Sequence, residues 1–204
     1  MPAGAQNKRP RAERRDAKEN REKILRTAAD LMAVRGRNVP LTEIANAAGV
    51  GVGTFYRRFP DRAALLDELQ RRGSDLLLET LTRIKEDGLG GADAIEAYLN
   101  ECLRLADQLV AMPLRGGEPL LDDAALKAKQ DIRVAIDGFL AEGRADGSVH
   151  DDVAAIDVIV CATFIAMPLP HGPDWAATAR RQIKMFVRGI RTTHPPSPSE
   201  VKRR

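Results

Sequence analysis

Apolar residues recur along this chain at helical spacing, and nowhere do they alternate as they would in a strand. After Asn20, a residue suited to capping a helix, Ile24, Leu25, Ala28, Leu31 and Met32 repeat on one face until Gly36 stops the run. Pro40 fits the first turn of a second helix over about 40–48, where its missing N–H costs nothing. That helix turns Leu41, Ile44, Ala45 and Ala48 to one side and ends at Gly49. A third, short helix is expected over about 51–58. Asp61 can cap a long fourth over about 61–87, carrying Leu65, Leu66, Leu69, Leu76, Leu77, Leu81 and Ile84 up to Gly88, Gly90 and Gly91. The next covers about 92–112 with Ile95, Leu99, Cys102, Ala106 and Leu109 as its stripe. "MPLRGGEPLLDD" reads as a loop with room for one helical turn. A helix over about 122–145 follows with Leu126, Ile132, Ile136, Phe139 and Leu140, then the turn "RADGSV". Two more helices run from near Asp152 to Met167 and over about 173–192, the last carrying Trp175, Ala179, Ile183, Phe186 and Ile190. The chain reads as all-α, without internal repeats.

Its 204 residues suffice for one or two domains with a real core. The longest apolar run, Val158 to Met167, is too short to span a bilayer, and the start of the chain has no apolar signal core. A cytoplasmic location is therefore expected. The two cysteines, Cys102 and Cys161, fall in apolar helical patterns and read as reduced core thiols. Charge is unevenly spread. Residues 1–72 hold 16 Lys and Arg against 9 Asp and Glu, residues 73–187 hold 11 against 19, and residues 188–204 hold 5 against 1. A basic front on an acidic body suggests that one end meets a polyanion.

The stretch "GVGVGTFYRRFPDR", residues 49–62, sharpens this. Only eight aromatic residues occur in the chain, and three of them, Phe55, Tyr56 and Phe59, lie within five positions here. Gly49 lets the chain reverse tightly because it tolerates positive φ. At roughly 100° per residue, Phe55 and Phe59 lie within about 40° of each other and can pack inward. Gly53, Tyr56 and Arg57 fall on the opposite side, with Thr54 and Arg58 on the flanks. That outer face suits DNA. Glycine permits close backbone approach, Thr and Tyr hydroxyls can bond phosphate oxygens, and Arg can bond phosphate or guanine. Val52, near the helix start, could touch a thymine methyl.

The segments "REKILRTAADLMAVRG" and "LTEIANAAGVGVGTFYRRFPDRAALLDEL" closely resemble the DNA-binding domain of the tetracycline-repressor (TetR) family. Ile44-Ala45, Ala48-Gly49-Val50, Gly53-Thr54-Phe55-Tyr56, Phe59, Arg62 and Leu65-Leu66 stand at that family's spacing, over about 20–70, a quarter of the chain. The resemblance implies a homodimeric repressor that leaves a pseudo-palindromic operator when a small molecule binds its C-terminal domain. It implies DNA contacts from Thr42, from Val52, Gly53, Thr54, Tyr56, Arg57 and Arg58, and from Arg62. Two positions depart from the family pattern: Val39, where a capping Thr or Ser is common, leaving Pro40 and Asn38 to serve, and Gly51, where Ser is common. The resemblance also implies a four-helix dimer bundle from the last two helices, for which Ile156, Ile159, Val160, Ile183, Phe186 and Ile190 are the candidates. Effector-lining candidates are Tyr98, Cys102, Phe139, Phe164 and Met167; plain core packing is the alternative for each.

The implied organisation is a disordered basic arm over 1–19, a three-helix helix-turn-helix domain over 20–66, a larger helical ligand-binding and dimerisation domain over 67–192, and a disordered tail over 193–204. His150, His171 and His194 are isolated, no Ser or Cys sits in a nucleophile motif and no phosphate-binding glycine loop occurs. The residues thus offer no enzyme chemistry, metal site or cofactor. The competing reading is a helical small-molecule-binding or adaptor protein that has lost DNA binding.

Overall fold

The computed structural model describes residues 9–109, 122–167 and 174–192, with the backbone alone over 9–17. Among these, eight α-helices follow one another: α1 Arg9–Arg35, α2 Leu41–Ala47, α3 Val52–Arg58, α4 Arg62–Glu86, α5 Gly91–Arg104, α6 Asp123–Ala145, α7 Ala155–Ile165 and α8 Trp175–Ile190. A 3-10 turn, Ala106–Gln108, follows α5. No strand occurs among the described residues, only an isolated antiparallel bridge between Val149 and Arg191. The fold is all-α, and no described helix is long and apolar enough to cross a membrane.

The first helix corrects the sequence reading. It begins at Arg9, not at Asn20, so residues 9–19 of the expected disordered arm are helical. The reason is visible in composition: Pro10 falls in the first turn, where no N–H is needed. Arg11 to Glu19 are Ala, Arg, Lys and Glu apart from one Asp, residues that favour helix. Residues 1–8 and the expected tail over 193–204 lie outside the described residues, as does most of the "MPLRGGEPLLDD" loop. The fifth helix also stops short, at Arg104, and Leu126 is exposed on α6 instead of packing in its stripe.

The chain divides into two compact units after Leu69, so α4 begins in the first and ends in the second. In the first unit, Ile24, Leu25, Ala28, Ala29 and Met32 of α1 form a core with Val39, Ile44, Ala45, Ala48, Phe55, Phe59, Leu65, Leu66 and Leu69. Polar contacts set the helix ends. Asp61 accepts from the Ala64 N–H at 2.8 Å and caps α4. Neither α2 nor α3 has a side-chain cap: Pro40 and Gly51 stand at their N-caps, and Asn38 does not serve α2.

The second unit buries Leu77, Leu81 and Ile84 of α4 among Ile95, Tyr98, Leu99 and Cys102 of α5, Ile136, Phe139 and Leu140 of α6, Val158 and Ala162 of α7, and Ile183 and Ile190 of α8. Asp122 and Asp174 cap α6 and α8 through the N–H groups of Ala125 and Ala177. Two glycines let α5 and α6 touch closely. A Cβ on Gly143 would stand 2.4 Å from Cγ2 of Val149 and 2.9 Å from Cα of Gly91, distances no side chain tolerates without displacement. Past α8, the chain is tied back to the α6–α7 turn: the His150 N–H donates to the Ile190 carbonyl and the Thr192 N–H to that of Ser148. Arg191 also pairs with Asp93 and Glu96 of α5.

Candidate nucleic-acid interface

The helix-turn-helix forms from α2, a turn over 48–51 and α3. Gly49 adopts φ of 65°, a left-handed conformation costing other residues about 1–2 kcal/mol. The Gly49 N–H donates to the Asn46 carbonyl and the Val50 N–H to that of Ala45, each at 3.0 Å, closing α2. Gly51, extended at φ −62° and ψ 136°, then opens α3, and its carbonyl accepts from the N–H groups of Thr54 and Phe55.

Helix α3 has two unlike faces. Phe55 and Phe59 are sealed in the first unit at 0% and 1% exposure. Their rings lie 5.4 Å apart, and Tyr56 meets Phe55 edge to face at 5.9 Å. A seven-residue helix is too short to persist alone, so these rings hold it. Val52, Gly53, Thr54, Tyr56, Arg57 and Arg58 are exposed, as is Thr42 on α2. A Cβ added at Gly53 would meet nothing within 4 Å, so the fold itself does not require glycine there. Arg57 Nη2 donates to the Thr54 hydroxyl at 3.2 Å, which steadies both side chains on the outer face.

Arg62 is tied into the fold. It is half-buried, and its two terminal nitrogens donate to the carbonyls of Arg37 and Val39. The guanidinium therefore ties the α1–α2 connection to the start of α4. Carbonyls that find no N–H partner attract such a fork of donors, and this commitment lies across more than twenty residues of sequence, out of reach of a local motif. Tertiary structure also introduces a cation absent from the sequence reading. Lys23 of α1 lies with Nζ 3.3 Å from the place a Cβ on Gly49 would take.

In the second unit, Tyr98, Cys102 and Phe139 are buried together in the core. Burial pushes the Cys102 thiol up to about 12, with its neighbour Glu101 adding to the rise, while a hydrogen bond with Tyr98 opposes it. Burial, then Cys102, raises the Tyr98 hydroxyl well above its ordinary range. Burial raises the Cys161 thiol to about 11. All three groups are thus neutral at physiological pH.

Phe164 and Met167 correct the expected lining. At 66% and 40% exposure they face out from the second unit. Helix α7 turns Ala155, Val158, Ala162 and Ile165 inward, and Ile156, Val160 and Phe164 form an outward row at a spacing of four. Conversely, Ile183 and Ile190, expected at a dimer interface, are buried within this chain on the inner face of α8 with Ala179 and Val187. Ile159 and Phe186 are half-buried, and Met185 is the exposed apolar residue of α8. The α7 sequence is apolar almost all round, so periodicity alone could not separate its two faces.

A short, aromatic-anchored helix with a polar outer face, set behind a glycine turn and joined to a helical body, defines a helix-turn-helix protein by class. Two family models match the chain: "Bacterial regulatory proteins, tetR family" over residues 24–69 and "Transcriptional regulator SbtR-like, C-terminal domain" over residues 92–192. The chain belongs to the TetR family. It is 33% identical over 92 residues to an HTH-type transcriptional regulator of Staphylococcus aureus strain USA300, covering 45% of this chain and 50% of that protein. The chain thus spans about half the length of the curated relatives it matches. Among solved structures, a TetR transcriptional regulator of Streptomyces coelicolor is 27% identical, with a TM-score of 0.64 over 85% of this chain and 99% of that one. A TetR regulatory protein of Mycobacterium vanbaalenii is 25% identical, with a TM-score of 0.65 over 88% and 99%.

Proposed function

We propose that this protein is a DNA-binding transcriptional regulator, a cytoplasmic homodimeric repressor released from its operator by a small molecule. One observation carries the reading: on a single seven-residue helix, Phe55 and Phe59 are sealed inside while Val52, Gly53, Thr54, Tyr56 and Arg57 face solvent. That division leaves a glycine-bearing, hydroxyl- and guanidinium-rich surface of helical width, which fits the major groove. The bare backbone at Gly53 allows close approach. The Tyr56 and Thr54 hydroxyls reach phosphate oxygens, and Arg57 reaches phosphate or guanine. Thr42 adds a hydroxyl from α2, and Arg62 supports the interface by holding the α1–α2 connection in place.

The dimer forms through the outward row Ile156, Val160 and Phe164 with Met185, large apolar side chains that a lone chain leaves in water. The effector binds among the helices that surround Tyr98, Cys102 and Phe139, where the neutral Tyr98 hydroxyl and Cys102 thiol can orient a mainly apolar molecule. It releases DNA only so far as it favours the conformation with the wrong head spacing.

Tyr56→Phe is expected to weaken operator binding by ~1–2 kcal/mol, about 5–30-fold, through loss of one hydrogen bond to a charged oxygen. Arg57→Ala is expected to cost ~1–3 kcal/mol. Both side chains are exposed, so melting temperature should not change. Gel-shift titration on a duplex selected from a random library reads the effect. Unaltered affinity in both variants would overturn the assignment, and a wild-type chain that retains no duplex at low salt would favour the adaptor reading.

A further inference from the structure

We propose that Lys23 is a phosphate contact of the DNA interface, delivered by α1 to the turn between α2 and α3. The inference rests on the DNA-binding reading above and extends it to a helix outside the helix-turn-helix itself.

Three observations place the residue. Ile24, Leu25 and Ala28 are buried at 2% or less, so the backbone carrying Lys23 is fixed in the first unit. The side chain is exposed, yet its Nζ stays near the Gly49 turn, 3.3 Å from where a Cβ would stand. Gly49 therefore does two things: its left-handed conformation reverses the chain, and its missing side chain leaves room for the ammonium. Third, Lys23 has no hydrogen-bond or ion-pair partner among the described residues, unlike several other cations of the first unit. Arg21 is engaged by Glu22 and Glu68, Arg35 by Glu43, and Arg62 by two carbonyls. Glu19, one helical turn before Lys23, has an interaction of its own with another residue.

The place matters because of how such a motif docks. The helix before the turn crosses the phosphate backbone and the helix after it enters the groove. The turn is therefore the point at which the chain passes the strand. A compact ammonium beside it acts as a counterion to a phosphate. Lys23 is carried by α1 and not by the groove-facing helix α3, so it contributes without reading sequence.

The test uses the full chain and a random-sequence duplex of about 30 base pairs, because sequence-independent binding is dominated by phosphate contacts. Fluorescence anisotropy gives the dissociation constant across a series of salt concentrations for wild type, Lys23→Gln, Lys23→Arg and, as a surface control in the second unit, Lys85→Gln. Lys23→Gln is expected to bind roughly tenfold more weakly near 0.1 M salt for each head engaged, and to lower the slope of log K against log salt by about 0.9 per head. Lys23→Arg should restore the slope, and Lys85→Gln should match wild type, with melting temperatures equal throughout. A Lys23→Gln slope equal to wild type overturns the proposal, even if affinity falls, since packing of the lysine stem would then explain the loss. Failure of wild type to bind the duplex at low salt instead overturns the DNA-binding reading itself.

Discussion

Phe55→Ala is expected to unfold the first unit while leaving the second folded. The side chain is fully buried and touches the rings of both Tyr56 and Phe59. Truncating a buried phenylalanine costs about 3–5 kcal/mol. A unit of this size, ending at Leu69, has a core that supplies little more than ~3–5 kcal/mol in total. The loss falls on the element least able to absorb it, since α3 has seven residues and no side-chain cap. Two probes separate the units. Trp175, the only tryptophan, belongs to the second unit, where its indole N–H donates to the Ile165 carbonyl at 3.0 Å. Its fluorescence should keep the wild-type denaturant midpoint, while amides over 41–66 lose hydrogen-exchange protection. Duplex binding should vanish with that protection. Retained protection across α3 would mean that the phenyl ring does not anchor it.

Phe164→Glu is expected to separate the proposed dimer into monomers. Phe164 is the most exposed member of the row formed with Ile156 and Val160, and burying one such ring against a partner is worth ~1.5–3 kcal/mol. In a two-fold interface each substitution acts twice. Glutamate would thus remove two apolar contacts and force two carboxylates out of water, at several kcal/mol each without a partner. Light scattering on a sizing column should show the mass falling to that of one chain. Affinity for an operator with two half-sites should fall by ~10²–10⁴, the gain that linking two binding events supplies. The interior of each chain should be unaffected, because the inner face of α7 is carried by Ala155, Val158, Ala162 and Ile165. An unchanged mass would place the dimer contact elsewhere or deny it.

The two faces of α3 were legible in the sequence because the signal is local. Aromatics are scarce, and Phe55 and Phe59 recur one helical turn apart with polar residues between them. The helical course of the chain was legible for the same reason, as was the Asp61 cap, which bonds a backbone N–H three residues away. What escaped depends on distance or on uniform composition. The partners of Arg62 lie more than twenty positions earlier, so the local motif gave no sign that this residue also serves as a tether. Phe164 and Ile183 exchanged places, pocket or core against outer surface, because α7 and α8 offer apolar residues to more than one side. The start of α1 was misplaced because Asn20 looks like a cap, although nothing before it back to Pro10 breaks a helix. Lys23 carries no sequence signal at all: only packing of α1 beside the turn brings its ammonium to Gly49.

Docking of the α3 outer face on DNA is tested most directly at Gly53. A Cβ there meets nothing within 4 Å, and glycine is a poorer helix former than leucine, so its replacement in the first turn of α3 costs the helix nothing. Gly53→Leu should therefore melt at or above the wild-type temperature, while its affinity for duplex DNA, followed by fluorescence anisotropy, falls by at least about tenfold, or ~1.4 kcal/mol. A variant that is equally stable and binds the duplex as tightly as wild type would contradict the approach of this face to the groove.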